Sequence, residues 1–75
     1  MYALDTVDLI PLIGRTVRIR NGKRTFIGTL IGPSGKKFAR DGRSMYYGFT
    51  LKGDDFVIEF AWWDWYVEQV AEPVG

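Results

Sequence analysis

The chain has 75 residues, ten Lys and Arg against nine Asp and Glu, and neither histidine nor cysteine. Those two absences exclude a disulfide framework, a thiolate or imidazole zinc site, and Ser-His or Cys-His catalysis. A chain this short builds one small core, burying about 60% of its unfolded surface, so its stability must come from packing or from association between copies. Three Trp, four Tyr and five Phe fit that demand.

The first stretch, "MYALDTVDLIPLIG", carries Asp5 and Asp8 and no base before Arg15, which is not the pattern of a signal peptide. Its apolar run "LIPLIG" is far below the ~20 residues of a membrane span. A cytoplasmic protein without membrane association is therefore expected. Val7, Ile10 and Ile13 are spaced for a helical turn, which Pro11 cuts short.

Strand patterns follow. "TVRIR" (Thr16–Arg20) alternates, with Val17 and Ile19 on one face and Arg18 and Arg20 on the other. Asn21–Gly22 then predicts a hairpin turn. The partner strand is "RTFIGTLIG" (Arg24–Gly32), where Phe26, Gly28 and Leu30 share a face. Gly28 inside a strand marks a bend or a close backbone approach. "GPSGKKFARDGRS" (Gly32–Ser44) reads as a basic, polar loop. A third strand, "MYYGFTL" (Met45–Leu51), places Tyr47, Phe49 and Leu51 on one side. After the turn "KGDD" comes a fourth, "FVIEFAWW" (Phe56–Trp63), and "WYVEQV" (Trp65–Val70) makes a short fifth. Residues 71–75 are expected to be a frayed tail. The reading is one all-β domain over residues 1–75: a small five-stranded, strongly bent antiparallel barrel with a short N-terminal helical turn.

In "GRTVRIRNGKRTFIGTLIG", Gly14 to Gly32, the residues Gly14, Val17, Ile19, Asn21–Gly22, Phe26, Gly28 and Leu30 resemble the first motif of the Sm-like family and, more broadly, Src-homology-type barrels. The resemblance covers about a quarter of the chain and implies a small barrel and a ring-forming tendency. The family's RNA-binding residues do not carry over. "GPSGKKFARDGRS" stands where an Asp and a Met-Asn pair are usual, and "FAWWDWYVEQV" replaces the second motif.

Charge is unevenly spread. All ten bases lie between Arg15 and Lys52, where Asp41 is the sole acid, and six acids follow Gly53. Such asymmetry fits an anionic partner, basic and acidic strands lying side by side, or a basic face of one copy meeting an acidic face of the next. Lys36, Lys37, Arg40 and Arg43 cluster around Phe38, with Tyr46 and Tyr47 directly after. Cations neutralise phosphate and aromatic rings stack on bases. Arg18, Arg20, Lys23 and Arg24 form a secondary basic face, and those loop charges also read as a solvated surface.

In "FAWWDWY", strand parity assigns Phe60 and Trp62 to the core. Trp63 and Trp65 are left free to meet a ligand or a subunit interface, with Asp64 as the turn between strands. Adjacent Asp54 and Asp55 read as turn residues, and "GPSGKK" lacks phosphate-loop spacing. No enzyme, cofactor or metal site is expected. The leading expectation is a non-catalytic binding module for nucleic acid or a nucleotide-like anion, self-associating, with Lys36, Lys37, Phe38, Arg40, Arg43, Tyr46, Trp63 and Trp65 as ligand contacts. A protein-interaction or structural module with an aromatic interface is one alternative. An oligomer that sequesters a nucleotide second messenger is another.

Overall fold

A computed structural model describes residues 9–70. The expected role of Val7 and the frayed tail at 71–75 lie outside the described residues. Five antiparallel strands form a single sheet: β1 (Thr16–Asn21), β2 (Arg24–Ala39), β3 (Met45–Lys52), β4 (Val57–Phe60) and β5 (Tyr66–Gln69), in the order β4-β3-β2-β1-β5. Short 3-10 turns cover Ile10–Leu12, with Pro11 in the first turn, and Trp62–Asp64. β4 and β5 are the two edges of the sheet, and no ladder joins them among the described residues. The structure therefore shows an open, bent sheet.

The β1–β2 hairpin follows the alternation of its sequence, with Val17 and Ile19 buried and Arg20 exposed. Its turn is displaced by one residue from the expected Asn21–Gly22. Asn21 pairs with Arg24, so Gly22 and Lys23 are the central residues, and Gly22 takes φ 60° while no non-glycine residue has positive φ among the described residues. Glycine first in a two-residue loop suits the twist of the flanking strands. Gly28 is a close-approach position: a Cβ there would stand 2.5 Å from the Lys52 carbonyl oxygen of β3.

The main departure from the sequence reading is β2. It does not end at Gly32; it runs to Ala39, so most of the expected loop is strand. Two irregularities made this hard to read. Leu30 and Gly32 pair with the consecutive residues Leu51 and Thr50, which leaves Ile31 as an extra residue. Further along, Ser34, Gly35 and Lys36 together face the single residue Gly48. Such bulges bend a strand and re-aim its side chains. Buried Ser34 satisfies itself locally, its Oγ donating to the Lys36 carbonyl at 2.9 Å and accepting from the Lys36 N–H at 3.3 Å. The second bulge also corrects the placement of Tyr47 beside Phe49 and Leu51. Tyr47 is exposed, whereas Phe49 and Leu51 are buried. Past the bulge, Lys37–Tyr47, Phe38–Tyr46 and Ala39–Met45 pair again as a two-stranded arm.

The core gathers Leu9, Val17, Ile19, Leu30, Phe49, Leu51, Phe60 and Val67, sealed by Trp62, Trp63 and Trp65. β4 stops at Phe60 rather than Trp63, and β5 begins at Tyr66 rather than Trp65. The intervening 3-10 turn is closed by Asp64 N–H to Ala61 O (2.8 Å) and Trp65 N–H to Trp62 O (3.3 Å). Three residues per turn bring positions i and i+3 onto one side, which frees the tryptophans from strand alternation. The expected exposure of Trp63 and Trp65 is corrected accordingly: both are buried, at 6% and 9% exposure, as is Trp62 at 3%.

Candidate functional site

The tryptophan-rich turn meets the basic residues through ring faces. Arg40, just past β2, places its guanidinium carbon 5.1 Å from the Trp62 ring centre, 5.5 Å from Trp63 and 5.5 Å from Tyr46. Arg24 stands 5.6 Å from Trp65 and 5.8 Å from Phe26, and Arg20 lies 5.0 Å from Tyr66. On the arm, Lys36 stands over Phe38 and Lys37 over Tyr47, each at 5.1 Å. A single ion pair forms among the described residues, Arg18 with Glu68 across β1 and β5, where Arg18 Nε donates to Glu68 Oε1 at 2.6 Å. The basic middle and acidic end of the sequence thus neutralise each other strand against strand at this one pair among the described residues. Arg20, Arg24, Lys36, Lys37 and Arg40 sit on aromatic rings, which attract a cation without cancelling its charge.

Eight of the aromatic side chains form two groups. Phe26, Phe56, Phe60 and Trp65 pack at centroid separations of 5.5–6.2 Å beneath Arg24. Phe38, Tyr46, Trp62 and Trp63 pack at the base of the arm, with Trp62 and Trp63 edge-on at 5.2 Å. Over the second group opens a cleft of about 330 Å³, lined by Pro33, Arg40, Tyr46, Tyr47, Phe49 and Trp62. A second cleft, about 360 Å³, lies between the β1–β2 turn and β4, where Arg24 and Trp65 are joined by Glu59 and Asp64. Those two carboxylates repel an anion, so of these two clefts the arm cleft suits negative charge better.

The arm ends in a turn at Arg40–Ser44, closed by Arg40 N–H to Ser44 O at 3.0 Å. Asp41, the acid within the basic region, spends its carboxylate there: Oδ1 accepts from Ser44 N–H at 2.8 Å and Arg43 N–H at 3.1 Å. These two bonds, Ser44 first, hold its pKa below the usual 3.8. The acid is thus turned into the loop backbone and organises the segment that carries Arg40 and Arg43.

Of the residues expected to contact ligand, the structure brings Lys36, Lys37, Phe38, Arg40 and Tyr46 to the arm, with Arg43 exposed at its tip and Trp63 as a buried floor beneath Arg40. Trp65 belongs to the other cluster, under Arg24. On the secondary face, Arg18 is engaged by Glu68, Arg20 and Arg24 cover rings, and Lys23 is exposed in the hairpin turn. Pro33, Tyr47 and Trp62 also line the cleft, beyond the residues expected in the site. Tyr47 was assigned inward by parity, and nothing in the sequence placed Pro33 on a strand.

No protein-family model matches this chain, and neither a curated protein nor a solved structure is matched.

Proposed function

We propose that this protein is a non-catalytic binding module for an anionic, nucleotide-like ligand or nucleic acid, held at the β2–β3 arm. One observation carries this reading. Arg40 is fixed over three rings at the mouth of a cleft that also presents half-exposed Tyr46 and Tyr47, 45% and 54% exposed. A guanidinium held by rings, with no carboxylate paired to it among the described residues, keeps N–H donors available for phosphate oxygens. Lys36, Lys37 and Arg43 add charge, and the tyrosines offer stacking surfaces for a base.

The bent sheet is proposed to act as an incompletely closed small barrel, a rigid base from which the arm projects. Self-association through the β4 and β5 edges of the sheet is compatible with this role, since sheet edges invite pairing. The assembly alternative rested on tryptophans left over for an interface, and it draws less support now that Trp62, Trp63 and Trp65 lie inside the chain. The test is fluorescence anisotropy with a labelled oligonucleotide at low salt. Binding by the wild type and its loss in the Lys36→Ala, Lys37→Ala, Arg40→Ala triple variant, with circular dichroism retained, is expected. Undiminished binding by the folded triple variant would remove the arm from the account.

A further inference from the structure

Resting on that reading of the arm, we infer that its ligand is an unpaired single strand of nucleic acid. One base enters the cleft beside Tyr46 and Tyr47, and the flanking phosphates lie on Lys36, Lys37 and Arg40.

The arm's two faces carry the argument. Phe38 and Tyr46 share one face, which is packed down on Trp63 at centroid distances of 6.5 and 6.2 Å. The register places Lys37, Ala39, Met45 and Tyr47 on the other face, and all four are exposed. A two-stranded ribbon can enter the major groove of a duplex, but reading it relies mainly on Arg, Lys, Asn or Gln aimed at base edges. Of these the free face has Lys37 alone. It offers a tyrosine with a lysine ammonium 5.1 Å from its ring centre, and a methionine beside them. Such a surface stacks on the flat side of a base, and in a duplex those flat sides are already covered by their neighbours.

The cleft adds a size argument. At about 330 Å³ it lies at the low end of the ~300–1,000 Å³ range of small-ligand pockets, which suits one ring system swung out of a strand. Charge completes the match. Arg40 lines the cleft, Lys37 stands over Tyr47 on the free face, Lys36 stands over Phe38 on the other face of the arm, and Asp41 is tied to the loop backbone. Base and phosphate therefore find their complements within the same few residues, the combination used for single strands.

The test compares three probes on the full chain by anisotropy and competition: a labelled oligothymidylate, a duplex with the same number of phosphates, and thymidine monophosphate. The single strand is expected to bind about tenfold or more tighter than the duplex. Tyr47→Ala is expected to weaken single-strand binding by about 5- to 150-fold, the range of one stacked base, while duplex binding, which depends on phosphates, stays within about twofold. Tyr47→Phe should retain the affinity, which separates stacking from hydroxyl chemistry and from loss of fold. Equal binding of duplex and single strand with no effect of Tyr47→Ala would overturn the single-strand inference and leave the anion site standing. Monophosphate binding as tight as the oligomer would overturn it equally. No binding of any probe at low salt would overturn both.

Discussion

The Arg40 guanidinium lies 5.1 Å from the centre of the Trp62 ring, joining the tip of the β2–β3 arm to the 3-10 turn that closes the core. An arm held by its turn alone would wander, and its charges would act as a solvated tether. Seated on the Trp62–Trp63 pair, Arg40 becomes a fixed cation on a fixed hydrophobic floor. The expected consequence is that Arg40→Ala costs about 1 kcal/mol of stability, between the ~0.5–1 of an exposed cation–π contact and the ~2 of a desolvated one. Arg40→Lys should fall between wild type and alanine, since it keeps the charge and loses the planar contact. Urea unfolding followed by tryptophan fluorescence measures both, and an unchanged midpoint in Arg40→Ala would contradict a cation–π contribution to stability.

Trp63 carries a cost that Trp65 does not. Its Nε1 is the buried side-chain polar atom without a hydrogen-bond partner among the described residues. A desolvated donor left unpaired costs about 1–3 kcal/mol. Trp63→Phe removes that donor along with part of the ring, so its net destabilisation should be smaller than that of Trp65→Phe by about 1 kcal/mol. Parallel denaturation curves decide this. A larger loss at Trp63 would mean that the indole nitrogen is satisfied in solution.

The Arg18–Glu68 pair ties β5 to β1 across opposed residues, with side chains 40% and 28% exposed. Screening by solvent limits such a pair to about 0.2–1 kcal/mol. A double-mutant cycle with Arg18→Ala and Glu68→Ala should return a coupling in that range that shrinks as salt rises. A salt-independent coupling would show that the contact acts through packing of the arginine stem.

Asp41 makes the arm's tip sensitive to acid. Because its hydrogen bonds lower the folded-state pKa below 3.8, the stabilisation is present above that value and is lost as pH falls through the lowered one. Amide protons of Arg43 and Ser44 should therefore exchange faster as pH is taken below the ordinary carboxylate range, after correction for intrinsic rates. Asp41→Asn, which removes the carboxylate charge, should lose this extra pH response. A response identical to the wild type's would remove Asp41 from control of the turn.

Legibility in the sequence followed periodicity. Val17, Ile19, Phe49 and Leu51 announced themselves by simple alternation, and β1 and the inner part of β3 were readable from it. β2 was not, because bulges at Ile31 and at Ser34–Lys36 break the period while its composition of Gly, Pro, Ser and Lys imitates a loop. Trp62 is buried as alternation assigns it, but Trp63 and Trp65 escape alternation for a related reason: a 3-10 turn interrupts the strand after Phe60, and both fold inward as well. The clustering of Lys36, Lys37 and Arg40 was visible in the residues themselves. Their partners Trp62 and Tyr47 depended on where the bulge turned the arm, which no local pattern encodes.

The most direct test of the central claim is the salt dependence of oligonucleotide binding, compared between the wild type and the Lys36→Ala, Lys37→Ala variant. Both lysines are exposed, so their loss should leave the fold intact. If they meet phosphates, log K falls linearly with log salt concentration, and the variant's slope is shallower by about 1.4, or ~0.7 for each lost contact with a single strand. An unchanged slope and affinity would place the anion elsewhere on the molecule and contradict the account.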